Sequence, residues 1–198
     1  MPILVPLDLI RPTQVAVGMK AVAAKREKVE TRFAKPKKFR AFLEKRPIPA
    51  VLGPGDAFYI IDHHHLSLAL WQSDVEEAFV RVVGDLSALR RPSFWRVMAE
   101  TGWVHPFDEA GRKVCLSELP AALHALRPDP FRDLAWSVRE EGGFEKSVAP
   151  YAEFQWAQHF RERIGVSSVR RTYERALERA LRLARAADAR HLPGFIGD

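Results

Sequence analysis

The sequence predicts a mixed α/β (α+β) chain, with a small sheet domain over residues 1–88 and a helical domain over 89–198 packed on it. Three observations point there. Short apolar runs crowd the part before Leu86, whereas the remainder repeats its apolar residues at three- and four-residue steps. Gly, Pro and Asp punctuate the early runs. No internal repeat or low-complexity linker divides the two parts, so 86–92 is only a soft boundary.

Element by element, residues 3–10 read as a strand broken by Pro6, which lacks a ladder donor and suits a sheet edge or a strand end. Arg11-Pro12 then turns the chain. Gly18 introduces a basic helical stretch to about Arg32, and Pro36 takes the first position of a helix with Phe39, Phe42 and Leu43 on one face. Residues 47–52 and 57–61 read as strands joined by the tight turn Gly53-Pro54-Gly55-Asp56. The second runs into Asp62-His63-His64-His65, after which Leu66, Leu68, Ala69, Leu70 and Trp71 read as a buried helix. Residues 78–83 complete the strands. Beyond them, Ser93 caps a helix that ends before Gly102, and Ser117 caps one carrying Leu119, Leu123 and Leu126. Asp129-Pro130 starts a helix stopped by Gly142-Gly143, and Pro150 starts another stopped by Gly165. Ser168 opens the last long helix, striped with Val169, Tyr173, Ala176, Leu177, Ala180, Leu181 and Ala184.

Composition narrows the function classes. With 47% hydrophobic and 28% charged residues the chain is neither disordered nor a membrane protein, and no run reaches the roughly 18 apolar residues of a span. The first residues lack a basic region and a sustained apolar stretch, so no signal peptide is expected. Cys115 stands alone, which excludes an internal disulfide and a cysteine-built zinc site, and a cytoplasmic setting is the expectation. The net charge of +6 is uneven. Eleven Lys/Arg face three Glu within 20–46, and nine Arg face four acids within 161–190, leaving the rest acidic. Such segments attract phosphate-bearing partners, DNA among them, or form solvated helix faces.

The sharpest chemical feature is Asp62-His63-His64-His65, where an apolar strand ends and a helix begins. A first helical turn offers unpaired N–H groups and the positive dipole end, so the place suits an anion. Imidazoles there donate to phosphate oxygens, and Asp62 can serve as base, helix cap or partner of a metal-bound water. The bland alternative is a capping Asp62 beside buried, hydrogen-bonded histidines. Consecutive helical side chains point about 100° apart, so the three rings cannot converge on one ion. A mononuclear zinc site would need His105, Asp108 or a remoter residue. The favoured placement has one histidine toward a pocket, one under the sheet and Asp62 beside the pocket. His105 lies in a loop between Trp103 and Phe107 and either lines the same pocket or is merely part of an anchored loop.

Val5-Pro-Leu-Asp-Leu-Ile-Arg-Pro-Thr-Gln14, taken with the Asp-His-His-His element, resembles the ParB/sulfiredoxin superfamily over residues 4–83. With Gly102-Trp-Val-His-Pro-Phe, Asp129-Pro-Phe-Arg-Asp-Leu-Ala-Trp and Glu153-Phe-Gln-Trp-Ala, the whole chain resembles its ParB-like nuclease family. The resemblance implies a ParB/sulfiredoxin-like sheet followed by an all-helical domain. Where partition proteins of the superfamily carry Gly-Glu-Arg-Arg, this chain has His63, His64, His65 and Leu66, so their phosphate-holding arginines are missing. His64 stands where sulfiredoxin has its cysteine, which removes that reductive chemistry. Free-serine kinases carry Asp-Gly-His-His-Arg, matching Asp62, His64 and His65. Either a basic residue from 20–46 replaces the lost arginine, or the ligand is not a nucleotide. Ile60–His64 also resembles the DHH phosphoesterases. Their two-metal site needs an Asp-X-Asp pair that this sequence lacks.

The resulting expectation is a cleft for a nucleotide or other phosphate-bearing ligand, with a divalent metal ion as an alternative cofactor. The resemblance implies that Asp62 assists a phosphoryl transfer while His64 and His65 contact phosphates, and Asp62 and His64 are the catalytic candidates of a phosphotransfer or hydrolysis. Thr13, Gln14, His63, His65 and His105 are the ligand-binding candidates. The alternatives are a non-catalytic DNA-binding or partition-type protein, and a relic that kept the fold and lost the activity.

Overall fold

A computed structural model describes residues 1–197 and realises the early apolar runs as short strands. In chain order they are β1 (Ile3–Pro6), β2 (Ile10–Pro12), β3 (Ala16–Val17), helices α1 (Met19–Phe33) and α2 (Pro36–Glu44), then β4 (Ile48–Leu52), β5 (Phe58–Ile60), α3 (His64–Gln72), β6 (Glu77–Asp85) and α4 (Arg91–Glu100). There follow β7 (Arg127–Pro128) and the helices α5 (Pro130–Glu140), α6 (Ala152–Arg161), α7 (Val166–Arg171) and α8 (Tyr173–Arg185). The architecture is mixed α/β with a helical C-terminal region. The chain divides into two units: residues 1–17, 22–108 and 113–127 form the first, and 18–21, 109–112 and the chain from Pro128 onward form the second.

The first unit holds a five-stranded mixed sheet in the order β1-β6-β4-β5-β2. β1 pairs antiparallel with β6 (Val5 opposite Ala78), β6 parallel with β4 (Val80 opposite Ile48), β4 antiparallel with β5 (Val51 opposite Tyr59), and β5 parallel with β2 (Ile60 opposite Pro12). Pro6 and Pro12 therefore lie at the ends of the two edge strands, where a missing N–H costs least. Strand alternation sends Val51 and Tyr59 to one face. They join Phe94 and Met98 of α4 and Val104 in a core cluster, with the Tyr59 and Phe94 rings 4.6 Å apart. Gly53 is required by this packing: a Cβ there would lie 2.5 Å from the Tyr59 ring and 2.9 Å from that of Phe94. Leu66, Leu68, Ala69 and Leu70 of α3 are buried as the sequence indicates. Trp71 is not: it turns outward and is exposed, since the apolar run is longer than the face α3 buries.

The second unit packs α5 with α6, α7 and α8 around Phe131, Leu134, Val138, Trp156, Phe160 and the alanines Ala176, Ala180 and Ala184. Asp129 caps α5 as its sequence indicates, accepting from the N–H groups of Phe131 and Arg132. Trp156 stacks on Phe144 at 4.3 Å and donates its indole N–H to the Pro193 carbonyl at 2.8 Å.

Two expected helices are corrected. Residues 117–126 carry only single 3-10 turns at Leu116–Glu118 and Leu123–Ala125. Pro120 stands between them, without an N–H and with a ring that blocks a continuing helix. The last helix is two, broken at Thr172 (φ −137°), whose N–H and hydroxyl both donate to the Ser168 carbonyl. Among the described residues, no helix is long and apolar enough to cross a membrane.

Candidate functional site

The site is built where two parallel strands end. β2 and β5 run side by side, so Pro12 and Ile60 share one end of the pair, and the chain leaves β5 directly into the histidine element. Ligands of open α/β sheets gather at such carboxyl ends.

Thr13, the first residue beyond β2, uses every polar group it has. Its hydroxyl donates to the Ile60 carbonyl at 2.6 Å, its N–H donates to Nε2 of His64 at 3.1 Å, and its carbonyl accepts from the His105 N–H at 2.9 Å. Gln14 is buried and its backbone bridges that of His105 in parallel fashion. Thr13, Gln14, His64 and His105, scattered over more than ninety residues, are thus brought together. The Thr13 N–H fixes the His64 ring: Nε2 is an acceptor, so the proton of the neutral imidazole sits on Nδ1. His64 is only 6% exposed. Its geometry ties the start of α3 to the end of β2.

The neighbouring residue is different. His63 occupies the N-cap of α3 with φ 63° and ψ 22°, the left-handed region that a non-glycine side chain enters at a cost of about 1–2 kcal/mol. Glycine would adopt this backbone conformation free of that cost. Asp62 is exposed, and its Oδ1 accepts from the His63 N–H at 2.6 Å, which holds the turn. The His63 carbonyl accepts from the Ser67 N–H at 2.8 Å and the Ser67 hydroxyl at 3.0 Å. The imidazole itself is half-buried, and its Nδ1 is enclosed without a hydrogen-bond partner. Burial is the main reason its pKa falls below 6.5. The Asp62 charge opposes the fall, while Lys25, Arg81 and Arg46 add to it. The ring is therefore neutral at pH 7 and able to accept a proton.

Those three cations are the part that sequence reasoning located only partly. Lys25 and Arg46 come from the basic segment 20–46, and Arg81 comes from β6. All three act electrostatically on one imidazole at a helix start. The period-two placement of Arg81 on β6 carried no signal of this. Arg46 is steadied by stacking over Phe42 at 4.4 Å and by donating to the Phe42 carbonyl at 3.3 Å. His65 lies half-buried in the first turn of α3, and His105 rests against Phe107 with ring centroids 4.7 Å apart. Among the described residues, no group of three or more His, Cys, Asp or Glu side chains is arranged to hold a metal ion. Cys115 is exposed and lies in the 3-10 region remote in sequence from these groups.

One comparison with known proteins gives the family, and another gives a similar solved structure. The model of the family described as "Putative ParB-like nuclease" matches residues 3–162. Among solved structures, the crystal structure of protein Atu1540 from Agrobacterium tumefaciens superposes with a TM-score of 0.87. It is 36% identical, and the match covers 100% of this chain and 99% of that one. No curated protein matches.

Proposed function

The chain belongs to the ParB-like nuclease family, and from that premise we propose that it binds a phosphate group of a nucleotide or nucleic acid at the start of α3. The observation that carries the reading is His63. A strained, neutral imidazole with an unsatisfied buried nitrogen is held at a helix N-cap, and the charges of Lys25, Arg81 and Arg46 reach it electrostatically. The three cations take the part of the arginines that the Asp-His-His-His element lacks, and the N-terminus of α3 adds its own partial positive charge. Asp62 and His63 are the groups placed to move a proton to or from a water or hydroxyl at a bound phosphate. His65 and His105 complete the ligand contacts. Thr13, Gln14 and His64 are positioning residues, because their polar groups lock β2, β5 and α3 into register.

The test is calorimetric titration with a nucleoside triphosphate and with a short oligonucleotide, for wild type and Arg46→Ala. Binding by wild type, weakened at least tenfold in the variant, is the expected outcome. Negligible heat with both ligands for both proteins overturns the reading.

One observation favours a second reading, a non-catalytic DNA contact. Arg175, Arg179 and Arg182 are exposed at helical spacing along α8, spanning roughly 10 Å. Neutralised DNA phosphates would give an affinity falling steeply with salt. A gel-shift series over salt with Arg175→Ala/Arg179→Ala/Arg182→Ala separates this reading from the first, because those changes leave the α3 site intact.

A further inference from the structure

Trp71, the one aromatic that α3 does not bury, belongs to a pocket that the phosphate reading leaves unused. Where α3 ends, Arg26, Trp71, Gln72, Asp74, Val75 and Glu76 line an open pocket of about 630 Å³. Among the described residues Trp71 is the one exposed tryptophan, 44% accessible to solvent. An indole left this open forgoes much of the burial that stabilises its kind. Its ring rests against that of His124, with centroids 5.2 Å apart. Backbone bonds then wrap the chain around the helix end. The Asp74 N–H donates to the Trp71 carbonyl at 3.2 Å, and the Val75 N–H to the Leu70 carbonyl at 3.2 Å. Asp74 turns the chain at φ 52°, and the Glu76 carbonyl accepts from the Leu7 N–H at 2.8 Å. Both acidic side chains are thereby set beside the indole in one lining.

Charge selects the ligand. Arg26 is already engaged, its Nε donating to Glu30 Oε1 at 2.6 Å. Asp74 and Glu76 are exposed and take part in no ion pair among the described residues. The C-terminus of α3 adds a partial negative charge of its own. On a chain of net charge +6, this lining is a local reversal of sign. An indole face attracts a cation through its quadrupole, and carboxylates beside it supply the full countercharge. Val75 and the indole offer apolar surface to the carbon atoms that such a cation carries. We propose that this pocket binds an organic cation, an alkylammonium group, independently of the phosphate site. The two sites occupy opposite ends of the nine-residue α3, about 13 Å apart along its axis. The group is carried by a free small molecule or by a lysine side chain of a partner protein.

Calorimetry with three probes tests this: choline, a blocked glycyl-lysyl-glycine peptide, and dimethylbutanol, the uncharged carbon isostere of choline. Choline or the peptide should bind at least fivefold more tightly than the alcohol, and the tighter of the two identifies the source. Trp71→Leu should weaken that binding at least fivefold, and so should Asp74→Asn/Glu76→Gln. These positions are exposed, asparagine tolerates the left-handed backbone of Asp74, and Glu76→Gln keeps the carbonyl that Leu7 uses. On wild type alone, the NMR signal of the Trp71 indole N–H should move as the better cation is added. Heat from neither cation, equal affinity for choline and the alcohol, unchanged binding by Trp71→Leu, or an unmoved indole signal overturns the proposal.

Discussion

Replacing His63 with glycine should make the protein more stable while weakening its ligand binding. The backbone at this residue sits at φ 63°, where a side chain costs about 1–2 kcal/mol that glycine does not incur. The change also removes the enclosed Nδ1, which lacks a partner and costs about 1–3 kcal/mol. Against this stand the lost contacts of a half-buried ring and the greater freedom of glycine in the unfolded chain, together about 2 kcal/mol. The net gain is about 1 kcal/mol, or roughly 2–4 °C in Tm for a chain of this length. Thermal melts followed by circular dichroism read this directly, with calorimetry of phosphate ligands on the same samples. Gain of stability with loss of binding identifies strain retained for function. A Tm lowered by several degrees would refute the reasoning, because the ring would then be holding the fold.

Other outcomes follow from the same geometry. His64→Phe strands the buried Thr13 N–H and should cost about 1–3 kcal/mol, with His64→Gln recovering part of it, as measured by urea denaturation. The folded-state pKa of His63 lies below its unfolded value, so the unfolded chain protonates first. Stability should be full above about pH 6.5 and fall as pH drops through it. His63→Gly should flatten that slope in pH-dependent melts. His159, lowered chiefly by its own burial, retains the remainder. Asp133 carries the opposite sign. Its carboxyl is raised to about 6, so the folded state loses stability as pH climbs from about 4 through 6. Asp133→Asn, which can still accept from the Lys20 N–H, should therefore raise the Tm at pH 7 and leave it unchanged near pH 4.

The parts of this arrangement readable in the sequence are those governed by local rules. The Asp129-Pro130 cap, the Gly53 turn and the apolar run of β5 into a helix all form as their residues demand. Thr13 also meets the histidine element, through the bond from its N–H to Nε2 of His64. Local rules failed where one residue competes with a longer pattern. Pro120 cancels a leucine stripe of helical spacing, and Thr172 breaks a stripe of alanines and leucines by bonding back to Ser168. Trp71 sits at the end of an apolar run but beyond the face that the helix buries. Non-local features had no signal in the sequence. That His64 accepts from Thr13 depends on the parallel pairing of β2 with β5, and the electrostatic effect of Lys25, Arg81 and Arg46 on His63 comes from separate parts of the chain. The left-handed backbone at His63 is the intermediate case. A glycine at this position would have signalled the conformation, but a histidine conceals it.

The most direct test of the central claim is the pKa of His63 measured by NMR in the absence and presence of saturating inorganic phosphate. A phosphate held between this imidazole and Lys25, Arg46 and Arg81 must favour the charged ring. The account predicts a value below 6.5 without the anion and a clear rise with it. A His63 titration that stays in place when phosphate is added, or that lies above 6.5 from the start, would contradict it.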